Sequence, residues 1–262
     1  MHNIPVIILA GGQGSRMQTG ESPVKKELVP VGGRPILWHV LRSFSAHGFN
    51  RFVICLGHMG EQIKRYFLDY DSLTRDFSLH LGEEGHPTIE FHNRRDHPHW
   101  QVTLADTGLH TEKASRIAQV ADHIQADRFF VSYGDDVSDV DLTALVAFHQ
   151  AHGKLATLTG IQVNLDYGVV EADETGRVQG FVERPRLPYW INGGYMLFEA
   201  AALDLMRQGE DVNLETQVLP QLAAAGQLMV YRHTGFWKSM NTMKDNIELE
   251  RLWQEGAPWK VW

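Results

Sequence analysis

The sequence predicts a single α/β domain built on a mostly parallel central sheet with helices on both faces. Three observations predict it. Residues 5–70 alternate short apolar runs with helical periodicity in the order strand, helix, strand, helix. The runs at 5–10 and 52–56 are continuously apolar, as strands covered on both faces are. No internal repeat, low-complexity tract or long linker divides the 262 residues, so one domain over residues 1–262 is expected.

Each element has a local reason. The first apolar run stops at Gly11-Gly12, where the chain must turn. Ile36, Leu37, Val40, Leu41 and Phe44 recur at helical spacing, Pro35 suits a first helical turn and Gly48 a helix end, which predicts a helix over 35–47. Residues 51–56 read as a second buried strand, and 61–70 as a helix with Ile63, Tyr66 and Phe67 on one face. Residues 77–92 alternate apolar and polar in two pieces, FSLHL and TIEFH, predicting strands with one exposed face. A helix over 114–123, a strand over 128–131 and a helix over 141–152, with Leu142, Leu145, Val146 and His149 aligned, resume the parallel pattern. The second half is richer in strand, at 155–161, 169–172, 178–183, 193–198 and 229–233, with helices at 201–207, 214–224 and 242–254. It is expected to extend the same sheet.

Composition narrows the function. A hydrophobic content of 43% is enough for a sizeable core. With 24 basic against 32 acidic side chains the net charge is −8, which argues against broad binding to nucleic acid or anionic membrane. Phosphorylated ligands must therefore be held by local cations. The single cysteine, Cys55, sits in an apolar run and suits a reducing compartment. The first apolar run is too short for a signal-peptide core and no segment approaches the ~20 apolar residues of a membrane span, so a soluble, cytoplasmic protein is expected.

Chemistry concentrates at two places. Gly11, Gly12 and Gly14 let the backbone take positive φ and approach a ligand closely, so successive N–H groups can converge on an anion such as phosphate. Arg16 and Lys26 add two cations within reach of a polyphosphate held there. A Walker loop needs Gly-Lys-Ser/Thr where this chain has Gly14-Ser15-Arg16, and a dinucleotide fingerprint needs glycine where Met17 stands. On the residues alone, a plain glycine turn remains the alternative. Further on, the strand at 128–131 runs into Ser132-Tyr133-Gly134-Asp135-Asp136, placing carboxylates where ligands sit in open α/β folds. Oxygen donors there suit Mg²⁺ bridging phosphates; the alternative is a turn whose aspartate helps to start a helix.

LAGGQGSRM (residues 9–17) with Lys26-Glu27-Leu28-Val29-Pro30 resembles the signature of the sugar-1-phosphate nucleotidyltransferases. The resemblance is strongest to the glucose-1-phosphate cytidylyltransferases and covers nearly the whole chain. It is carried by GGRPILWHV (32–40), VTLADTG (102–108), AFHQAHGKLATLT (147–159), INGGY (191–195), GFW (235–237) and EGAPWKVW (255–262). It implies a Rossmann-like, GT-A-like nucleotidyltransferase fold. The implied activity is Mg²⁺-dependent transfer of CMP from CTP to a phosphorylated small-molecule acceptor, glucose 1-phosphate foremost, in a homo-oligomer.

The resemblance also implies roles residue by residue. Leu9, Ala10, Gly11, Gly12, Gly14, Ser15 and Arg16 would hold the nucleotide, with Thr103, Asp106, Thr107 and Gly108 near the cytosine base. Lys26, Arg16 and Asp135 would act on the reacting phosphates, and Asp135 would bind the metal. Tyr167, Gly168, Glu183, Arg184 and Asn192 would face the acceptor. Three positions depart from the family pattern. Arg184 replaces a lysine that contacts the sugar phosphate, Asp136 replaces a residue usually glycine or asparagine, and Asn241 replaces the aspartate that is the second metal ligand. An amide oxygen brings no negative charge, so metal affinity is expected to fall unless Asp136 or the substrate phosphates supply it. Together these departures favour a rival reading, another phosphorylated acceptor, and Asn241 alone favours a second, a catalytically silent regulator that binds nucleotide or sugar.

Overall fold

The computed structural model describes residues 4–12, 23–81, 87–92 and 99–262. Its first strand, β1 (Val6–Ala10), is buried along its length. Gly32 and Gly33, both at positive φ, turn the chain between β2 (Pro30–Val31) and β3 (Arg34–Pro35). The helix α1 (Ile36–Ala46) lays Ile36, Leu37, Val40, Leu41 and Phe44 into the core and leads to β4 (Arg51–Leu56). The predicted helix at 61–70 is two helices, α2 (Gly60–Leu68) and α3 (Tyr70–Thr74), because Asp69 leaves helical geometry between them. The alternating stretch forms an antiparallel pair, β5 (Phe77–His80) with β6 (Thr88–Phe91), and β7 (Gln101–Asp106) follows.

The parallel pattern resumes with α4 (Lys113–Gln119), a 3₁₀ turn over Ala121–His123, and β8 (Arg128–Tyr133). A short strand, β9 (Asp136–Ser138), precedes α5 (Leu142–His152), whose N-terminus Asp141 caps by accepting from the Ala144 N–H. After β10 (Ala156–Ile161), the strands β11 (Val169–Ala172) and β12 (Val178–Val182) pair only with each other. The chain returns through β13 (Ile191–Glu199) to α6 (Leu203–Met206). The predicted helix at 214–224 opens with a π turn over Leu214–Val218 before α7 (Leu219–Ala224). Pro220 has no N–H to offer the Thr216 carbonyl four residues earlier. Then come β14 (Leu228–Arg232), β15 (Trp237–Ser239) and α8 (Met243–Gln254), which begins with a Thr242–Asp245 capping box.

The central sheet has seven strands in the order β14-β10-β13-β8-β1-β4-β7, parallel except for β13, which runs antiparallel to both neighbours. The second half thus extends the sheet through β10, β13 and β14, while β11–β12 stand apart as an arm. One apolar cluster packs α1, α5, α8 and the C-terminal Trp259 on one face; the other packs α4, α6 and α7 on the opposite face. Cys55 lies in the second cluster, fully buried.

Candidate active site

A cavity of about 600 Å³ opens over the carboxyl ends of β1 and β8, where ligands sit in open α/β sheets. Pairing of β15 with β9 builds its floor: Ser239 lies opposite Asp136, and the Met240 N–H donates to the Asp135 carbonyl at 3.0 Å. That pairing draws Asn241 to Asp135 across a hundred residues of sequence. Lys26, on the 3₁₀ turn Lys26–Leu28, completes the group. Its ammonium forms an ion pair with Asp135 and donates to Asn241 Oδ1 at 2.9 Å, and the Asn241 amide is fixed by donating to Ser239 Oγ at 3.0 Å. Lys26, Asp135 and Asn241 therefore meet, while Gly14, Ser15 and Arg16 lie outside the described residues.

Two acidic side chains beside Asp135 are buried. Burial, then the Asp135 carboxylate, holds the Asp136 carboxyl well above the usual range, so its negative charge is disfavoured there. Burial also pushes Glu27 up to about 7, against the pull of Lys25. Lys25 itself donates to the Gly12 carbonyl at 2.6 Å and pins the glycine turn, a role the sequence did not reveal.

Gly11 packs closely against a buried arginine. The Arg116 guanidinium lies under Gly11, where a Cβ would fall 2.3 Å from Nη1. Nη1 donates to the Leu56 carbonyl at 3.0 Å, Thr107 Oγ1 at 2.7 Å and the Gly108 carbonyl at 2.8 Å. Arg116 was not legible as a site residue, since a charged side chain in an amphipathic helix ordinarily faces water.

The residues assigned to the base are dispersed. Thr107 is buried, its hydroxyl donating to the Leu56 carbonyl, and Asp106 pairs with Lys64. Thr103 lines a separate small cavity with Pro5, Arg51 and His123 at the amino ends of the strands. The wall of the main cavity is formed instead by the loop that follows Gly108, from Leu109 to Glu112, and by Lys113. The acceptor residues divide as well. Asn192 lines the cavity, its Oδ1 accepting from the Gly194 N–H at 3.0 Å. Tyr167, Gly168, Glu183 and Arg184 sit on the β11–β12 arm, outside the cavity lining. Gly168 has no room for a Cβ beneath the Phe181 ring, and Arg184 adopts φ 48°.

Among the described residues no group of three or more histidine, cysteine, aspartate or glutamate side chains is poised to hold a metal. The Asp135 carboxylate and the Asn241 carbonyl do, however, converge on one cation, the Lys26 ammonium. One carboxylate and one neutral oxygen fit Mg²⁺ where substrate phosphates complete the shell, as Mg²⁺ sites usually require.

An open, mostly parallel α/β sheet with a glycine turn, a lysine and a carboxylate gathered over its carboxyl edge defines the class, a Rossmann-like α/β enzyme. The chain belongs to the nucleotidyl transferase family, which it matches over residues 5–255, and is an enzyme of that family. It is 39% identical to a glucose-1-phosphate cytidylyltransferase of Salmonella typhi over 98% of each chain. It is 36% identical to a probable glucose-1-phosphate cytidylyltransferase of Bacillus subtilis, covering 98% of this chain and 99% of that one. The crystal structure of HddC from Yersinia pseudotuberculosis shares the fold at TM-score 0.69 and 18% identity, over 95% of this chain and 99% of that chain.

Proposed function

We propose that the enzyme transfers CMP from CTP to a sugar 1-phosphate, glucose 1-phosphate foremost, releasing pyrophosphate and a CDP-sugar. The observation that carries this reading is the meeting of Lys26, Asp135 and Asn241 beside Gly11 and Gly12 in one cavity. Full-length similarity to two proteins bearing the cytidylyltransferase name supports the choice of nucleotide and acceptor. A phosphate oxygen of the acceptor attacks the α-phosphorus of CTP in line, a new P–O bond forms, and the bond to the pyrophosphate oxygen breaks. The acceptor phosphate is already an anionic nucleophile, so catalysis rests on positioning and charge neutralisation rather than on a general base. Lys26 draws the two phosphates together, and Asp135 with Asn241 would hold Mg²⁺. When bound, the ion supplies charge neutralisation at the phosphate oxygens.

A second acceptor has one observation in its favour: Arg184, which stands where a lysine would grip the sugar phosphate, is exposed on the arm at φ 48°. Mass spectrometry of products formed from CTP, UTP, ATP and GTP at equal concentration, with a panel of sugar 1-phosphates, tests both points. A CDP-sugar from glucose 1-phosphate is expected to dominate; a dominant UDP, ADP or GDP product overturns the choice of nucleotide, and a different sugar overturns the acceptor.

A further inference from the structure

A second lysine lines the cavity, held in place by a device the reaction as derived does not use. Lys113 forms an ion pair with Glu215, and its ammonium sits 4.9 Å from the centroid of the Tyr133 ring. The same Glu215 oxygen, Oε1, accepts from the Tyr133 hydroxyl at 2.6 Å. The Tyr133 hydroxyl in turn lies 3.5 Å from Asn192 Nδ2. One carboxylate therefore fixes an ammonium and a phenol side by side, and the chain of contacts ends on the amide at the start of β13. Burial raises the Glu215 carboxyl, but the hydrogen bonds from Lys113 and Tyr133 outweigh it and hold it below its usual range, which favours the carboxylate.

Lys113, Tyr133 and Asn192 line the cavity, and Glu215 stands behind them on the π turn. Trp237 lines it too, its indole oriented by donating to the Gly193 carbonyl at 2.7 Å. An oriented indole, a phenol ring, an amide and an ammonium make a surface suited to a polyol: apolar faces for C–H groups and donors for hydroxyl oxygens. A lysine has three N–H donors, and one satisfies Glu215, leaving two with no hydrogen-bond partner among the described residues.

We propose that Lys113 is a specificity-determining residue that donates to a hydroxyl oxygen of the acceptor sugar, with Glu215 as the residue that positions it. This rests on the acceptor being a sugar 1-phosphate, and it adds to the recognition expected from the arm. The alternative is a brace that ties α4 to residues 211–218, a junction also held by the Val212 carbonyl and by Asp211.

Steady-state kinetics of Lys113→Met and Glu215→Gln separate the two, with CTP and with glucose, galactose and mannose 1-phosphates as acceptors. The expected result is a rise of about tenfold or more in KM for the preferred acceptor in Lys113→Met, consistent with losing a hydrogen bond from a charged donor. KM for CTP and the melting temperature should change little, and discrimination among the three epimers should shrink. Glu215→Gln keeps an acceptor for Tyr133 but removes the charge, and should give a smaller rise in the same parameter. A brace would instead lower the melting temperature and move both KM values together, and that pattern, or an unchanged acceptor KM, overturns the proposal. If the wild-type enzyme makes no nucleotide sugar from any of the three, the acceptor reading itself fails. Calorimetric titration of the sugar 1-phosphates into wild-type and Lys113→Met protein then judges the subsite separately, and equal affinity for the two proteins rejects it.

Discussion

In the proposed reaction the chemistry turns on Lys26, because its ammonium touches both oxygens that would hold the metal. Lys26→Ala should leave the fold intact, since the side chain rests on the cavity floor rather than in either apolar cluster. Turnover should fall about a hundredfold or more, as when a charge-stabilising donor is removed from a preorganised site. Near wild-type turnover in a folded sample would reject the assignment. Asn241 sets the second expectation. An aspartate there would place a second carboxylate opposite Asp135, where Asn241 offers only a neutral oxygen. Asn241→Asp should therefore lower the Mg²⁺ concentration needed for half-maximal activity by several-fold. A Mg²⁺ titration of both proteins decides it; an unchanged or weaker requirement means that residue 241 does not face the metal.

At the level of elements, α1 is joined to the C-terminal segment through a buried histidine. His39 Nε2 lies 2.8 Å from the Val31 carbonyl, and its Nδ1 accepts from Trp259 Nε1 at 3.3 Å. Only the neutral ring with its proton on Nε2 satisfies both partners, and Trp253 and Trp259 pack edge-on around it. Burial lowers the His39 pKa from 6.5 to about 4, so between those values the unfolded chain binds the extra proton and the folded chain does not. Stability must then fall as pH drops from 6.5 toward 4, by about 2 kcal/mol at pH 5. Urea unfolding at pH 7.5 and pH 5 should show that loss in the wild type and a smaller one in His39→Gln; equal losses would place the pH dependence elsewhere. The helical spacing that predicted α1 was legible because its apolar residues all face one way. So were β1, β4 and β8, whose apolar runs are covered on both faces. The pairing of β9 with β15 was not, since strands of three residues carry no periodicity and their register depends on the whole sheet. The site followed the same division. Lys26, Asp135, Asn192 and Asn241 carried local motifs, whereas Arg116 and Lys113 reach the cavity only through the way α4 packs.

For the molecule as a whole, the sheet and its two apolar layers explain the body but not the arm. A two-stranded hairpin is marginally stable alone in water. Here β11–β12 pair only with each other, and Val170, opposite Phe181, leaves 54% of its surface exposed and Phe181 leaves 61%. Val178 and Val182 are exposed as well, so the arm carries a run of apolar surface of the kind that marks an interaction site. The same arm carries Glu183 and Arg184, which extend beyond the cavity lining. Self-association that covers the arm would bury these side chains and fix the acceptor residues together. Light scattering coupled to gel filtration should therefore give a multiple of the 29.7 kDa chain mass at micromolar concentration. Val170→Glu with Phe181→Glu should lower that mass, since a desolvated carboxylate disfavours the contact. Folding should persist, because neither residue belongs to the two core clusters. If the arm is ordered by the partner, the same double variant should raise KM for the acceptor more than KM for CTP, whose proposed site lies in the body of the sheet. A monomeric wild type, or a double variant of unchanged mass, would mean that the arm is stable without a second copy.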